Sequence, residues 1–66
     1  MNVKDDKEIQ RIEAVIGVLY RCLAFYKGIG DTRQYKETRI NIAMVEKELR
    51  LLIAEKEAEL NATKEP

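Results

Sequence analysis

A chain of 66 residues has room for one small domain, and its single cysteine, Cys22, rules out an internal disulfide. With no histidine and one thiol it lacks the usual donor set of a structural metal. Its 12 basic and 12 acidic residues cancel, which weighs against a general binder of nucleic acid or acidic membrane. Chains below about 70–80 residues seldom gain enough from one core, so oligomerisation is the remaining source of support.

The start, MNVKDDKEIQ, is polar where a secretory signal would be apolar. The longest apolar run, Ala14 to Tyr26, is interrupted by Arg21 and falls short of the roughly 18 residues a membrane span needs. The expectation is a cytoplasmic protein with no membrane contact.

Helix 1 is predicted over about residues 5–27. Asp5 or Asp6 suits its N-cap and the positive end of its dipole. Ile9, Ile12, Ile16, Leu19, Leu23 and Tyr26 recur three and four residues apart, the seam of a helix packed on another helix. A second seam runs beside it through Val15, Val18, Cys22, Phe25 and Ile29. One partner helix covers one seam, so two seams ask for more than one partner. A third row, Ala14, Gly17, Arg21, Ala24 and Gly28, is mostly small. Gly17 costs roughly 1 kcal/mol against alanine inside a helix, and close approach by a neighbouring helix would be a return for it.

The next stretch, YKGIGDTRQY, raises the question of a phosphate-cradling loop. A P-loop requires a strand before it and GK[ST] within it, and a dinucleotide fingerprint requires a third glycine. Neither is present. A helix-to-helix turn over 28–31 fits each position: Gly28 ends helix 1 in the left-handed conformation, and Ile29 folds back onto Ala24 or Leu23. Asp31 then caps helix 2, with Gln34 completing a capping box.

Helix 2 is predicted over about residues 32–60, with a polar tail at 61–66. Its seam is Tyr35, Thr38, Ile42, Val45, Leu49 and Leu52, extended by Ile53 and Leu60 and widened by Ile40, Met44, Leu51 and Ala54. Glu46 and Arg50 stand in the favourable i, i+4 order on the charged side.

Candidate sites are few. Lys27, Arg33, Tyr35, Lys36 and Arg39 gather near the turn, where they could meet a phosphate or an acidic partner, although such patches are commonly solvated surface. Arg21 stands among apolar residues and is expected to pair with a carboxylate of a neighbouring chain. Cys22 reads as a small buried apolar residue. Tyr20, off both seams, is the aromatic expected to be most exposed. Catalysis finds no foothold, because no base stands beside the cysteine and the carboxylates follow solvent-facing positions.

The sequence therefore specifies a single all-α domain over 1–66. It is an antiparallel two-helix hairpin expected to dimerise into a four-helix bundle. Self-association would use Ile12, Val15, Ile16, Val18, Leu19, Cys22, Leu23, Phe25, Ile42, Val45, Leu49 and Leu52. No enzyme and no cofactor is expected. The expected role is a protein–protein interaction module, an adaptor or regulatory inhibitor that binds itself and another protein. A nucleic-acid-binding dimer using the basic turn end is the alternative.

Overall fold

The computed structural model describes residues 6–64, with Thr63 and Lys64 as backbone alone. The chain forms two helices, α1 (Lys7–Ile29) and α2 (Thr32–Lys64), packed side by side as an antiparallel hairpin. Its principal dimensions are 57 × 17 × 10 Å, one helix thick in the thinnest direction.

Caps decide where each helix starts. The Asp6 backbone is extended, and its Oδ1 accepts from the N–H groups of Glu8 at 2.9 Å and Ile9 at 3.3 Å. Two of the four unpartnered N–H groups of the first turn are thereby satisfied. Of the two capping candidates, Asp6 is the cap, and Asp5 lies outside the described residues. Asp31 does the same for α2: its Oδ1 accepts from Gln34 N–H at 3.1 Å, and its carbonyl accepts the first helical bond, from Tyr35.

The turn corrects the sequence reading by two residues. Helix α1 continues through Gly28 to Ile29, and Gly30, at φ 76° and ψ 20°, takes the left-handed conformation. Gly30 N–H donates to Lys27 O and Asp31 N–H to Tyr26 O, the paired bonds of a Schellman ending. Ile29 does not fold back. It stays helical and 59% exposed, because the chain reverses one residue beyond it. The Asp31 N–H is committed to Tyr26, so the backward half of a capping box has no donor to receive it. At the other end, α2 stays helical through Asn61 to Lys64, where a polar tail was expected; Glu65 and Pro66 lie outside the described residues.

Between the helices lie the two main seams. Ile9 and Ile42 are buried together with Thr38, and Ile12, Ile16, Leu19, Leu23 and Tyr26 face Tyr35, Val45, Leu49 and Leu52 half-buried. No buried side-chain polar atom among the described residues lacks a partner. The core is thus one line of side chains from each helix.

Two glycines two residues apart should respond oppositely to alanine. Gly30→Ala forces a side chain into the left-handed region and should cost about 1–2 kcal/mol. At Gly28 an added Cβ meets nothing within 4 Å. Gly28→Ala should therefore raise stability by up to about 1 kcal/mol. Urea denaturation of both variants checks the pair, and equal effects would contradict the turn geometry.

Candidate interaction surface

Helix geometry sets the two α1 seams about 110° apart around the axis, at 100° per residue. With α2 on one seam, the other is left facing outward. Val15, Val18, Phe25 and Ile29 are 50–61% exposed, and Cys22, between them, is half-buried. An apolar stripe of four turns therefore runs uncovered along one side of α1. The Phe25 ring stands edge-on to that of Tyr26, with centroids 5.6 Å apart. At 61% exposure Phe25 is more open than Tyr20 at 48%, reversing the expected order of the aromatics.

A second strip lies on α2. Ile40, Met44 and Leu51 are 58–61% exposed, and Ala54 is exposed with them. They do not widen the inner seam as expected. Their positions lie about 150° around the helix from it, on the outward side.

Of the residues expected to drive self-association, the structure separates two groups. Ile12, Ile16, Leu19, Leu23, Ile42, Val45, Leu49 and Leu52 are covered wholly or partly inside the hairpin. Val15, Val18 and Phe25 stay open, with Cys22 half-buried between them. The small row gives no close approach within the chain, since a Cβ at Gly17 also meets nothing within 4 Å. Arg21 is exposed beside the open stripe.

The opposite edge of the hairpin is polar. Tyr20 Oη donates across it to Glu46 Oε2 at 3.0 Å. That bond, then partial desolvation and the charge of the carboxylate, raises the phenol above its ordinary pKa. Glu46 thus faces α1, where the sequence had suggested pairing with Arg50 along α2. Tyr35 and Arg39 line a shallow depression beside this pair.

Of the basic residues near the turn, Lys36 and Arg39 share one groove, while Arg33 pairs along its own helix. Arg33, Lys36 and Arg39 step around α2 by about 60° each. Arg33 Nε lies 3.5 Å from Glu37 Oε1. Lys36 and Arg39 flank Ile40 and Ala43 in an open groove, and Lys27 sits exposed in the last turn of α1. Among the described residues no cluster of His, Cys, Asp or Glu could hold a metal ion, and no helix is long and apolar enough to cross a membrane.

At the end remote from the turn, Lys56 Nζ lies 2.8 Å from Asp6 Oδ2 and 3.9 Å from Glu8 Oε2. Asp6 therefore caps α1 with one carboxylate oxygen and binds α2 with the other. The Lys56 hydrogen bond is the largest influence on Asp6 and holds its carboxyl below the ordinary value; the N–H groups of Ile9 and Glu8 add to it, and desolvation opposes it. The same hydrogen bond raises Lys56, also against desolvation. Sequence reasoning missed this clip and the Tyr20–Glu46 bond. Neither could be read from the sequence, because pairing across the hairpin depends on which glycine reverses the chain.

Compared with known proteins, the chain matches no family model, no curated protein and no solved structure.

The clip sets a pH response. Folded Asp6 holds its proton less tightly than unfolded Asp6, so its contribution is present above about pH 4, the unfolded carboxylate range, and fades as pH falls through the lower folded value. Lys56 mirrors it, its contribution present below about pH 10.4 and fading as pH rises through the raised folded value. Urea midpoints of wild type and Lys56→Met should differ by a constant amount at neutral pH and converge in acid. A difference that persists unchanged to about pH 2, below the ordinary carboxylate range, would show that the ion pair is not its source.

Proposed function

We propose that this chain is a non-enzymatic protein–protein interaction module that self-associates and offers a further apolar strip to another protein. The observation that carries the reading is the open stripe of Val15, Val18, Phe25 and Ile29 on a hairpin in which, among the described residues, Ile9 and Ile42 are the only buried apolar side chains. Scattered exposed apolar side chains are ordinary on any surface. A contiguous row at heptad spacing is not, and marks a site for another helix. The thin core supports the same reading, because a single line of side chains leaves the hairpin short of apolar burial. The second strip, Ile40, Met44 and Leu51, points away from the first helix and is free for a different protein, as an adaptor or regulatory inhibitor requires.

A nucleic-acid reading has less behind it. Arg33 is turned to Glu37, Glu46 shares the depression that Arg39 lines, and the positions of Arg33, Lys36 and Arg39 spread over about 120° of the helix.

Sedimentation equilibrium at micromolar concentration should give a mass that is a multiple of 7.7 kDa. A folded species of 7.7 kDa would overturn self-association. Affinity capture with wild type and with Met44→Asp as parallel baits tests the second strip: a protein retained only by wild type is expected, and equal recovery by both baits would remove Met44 from the reading.

A further inference from the structure

We propose that the α1 stripe is covered by the same stripe of a second copy running antiparallel, with the two-fold axis passing beside Cys22. The proposal rests on the self-association reading above and specifies its face and register. The stripe matches its own reverse. Val15 and Ile29 stand one heptad to either side of Cys22, while Val18 and Phe25 stand four before it and three after it. Steps of three and four fall on the same helix face, so reversal about Cys22 exchanges Val15 with Ile29 and brings Val18 and Phe25 within one residue of each other. Size follows the same rule. The larger side chains, Phe25 and Ile29, occupy one half and the smaller valines the other. Antiparallel pairing sets Phe25 against Val18 and Ile29 against Val15, large into small, as a packed layer requires. A parallel pairing would stack Phe25 on its own copy and face valine with valine.

Position and area agree with this occupant. A helix seated about 110° from α2 around α1 lies against the open stripe without resting on α2. The chain exposes 5509 Å². A compact monomer of 7.7 kDa would expose about 4,300 Å². The elongated hairpin thus carries about 1,200 Å² more surface than a compact chain of its mass, and the stripe is part of that surface. Docking α1 onto the second copy's α2 is the poorer choice. On the side of the hairpin away from the Tyr20–Glu46 bond, exposed Glu37, Asn41, Glu48 and Glu55 interleave with Met44 and Leu51. Covering those carboxylates without partners would be costly.

Helix axes about 8–10 Å apart, less two Cα radii of about 2.3 Å, leave the two Cys22 Cα atoms roughly 3.4–5.4 Å from each other, the upper part of which overlaps the disulfide range. The thiol therefore serves as a ruler. Sedimentation of the reduced wild type gives the mass, and diamide then oxidises facing thiols to a disulfide, each pair giving two electrons and two protons to the reagent. We expect a dimer that diamide converts to a covalent species of twice the chain mass, with a yield insensitive to dilution while the dimer persists. In a Cys22→Ser background, mixing Val15→Cys with Ile29→Cys should cross-link the two chains several-fold more than either variant links to itself. A dimer whose Cys22 stays unlinked, or in which Val15→Cys links best to itself, would overturn this register and leave self-association standing. A folded monomer would overturn both.

Discussion

Two helices laid side by side can cover one stripe on each other and no more, and the rest of this structure depends on that limit. Helix α1 carries two apolar stripes about 110° apart, and α2 takes one of them. The core then shrinks to Ile9, Ile42 and Thr38 with half-buried neighbours, and the molecule is only 10 Å deep in its thinnest direction. Local features do what they can within the limit. Each helix begins on an aspartate cap, the turn closes both of its backbone bonds, and the polar edge is joined by Tyr20 and Glu46. None of these adds a second layer, so the stripe of Val15, Val18 and Phe25 stays uncovered within the chain.

Asp31 shows how little chain the reversal uses. Its N–H closes the end of α1 on Tyr26, while its side chain and carbonyl open α2 on Gln34 and Tyr35. Only Gly30 intervenes between the last residue of one helix and the cap of the next. So short a joint leaves the relative rotation of the helices little freedom. The same two stripes face each other here, and the stripe of Val15, Val18 and Phe25 stays outside.

The pair of inner seams was legible in the sequence because heptad spacing is a local property of the chain: Leu19, Leu23, Ile42 and Leu49 identify themselves without knowledge of the turn. Which glycine reverses the chain was not. Gly28 and Gly30 both satisfy the conformational requirement, and the choice rests on whether Ile29 folds back or stays helical. Two residues of helix rotate the exit by about 200° and advance it by about 3 Å. Every pairing across the hairpin inherits that ambiguity, which is why Tyr20–Glu46 and Asp6–Lys56 could not be read beforehand. The outward strip of Ile40, Met44 and Leu51 was misplaced for a related reason. Apolar residues on a helix look like a widened core until it is known which side its neighbour occupies.

Asp6 has a kinetic consequence. Its two carboxylate oxygens bind partners far apart in sequence, the first-turn amides of α1 and Lys56 near the far end of α2. Fraying of either terminus therefore removes an anchor from the other. The hairpin is closed covalently at Gly30 and joined near its opposite end by Asp6 and Lys56, so opening of the first turn of α1 is coupled to loss of that pair. The amides of Glu8 and Ile9 would then exchange with solvent through the event that breaks the pair, while the turn stays shut.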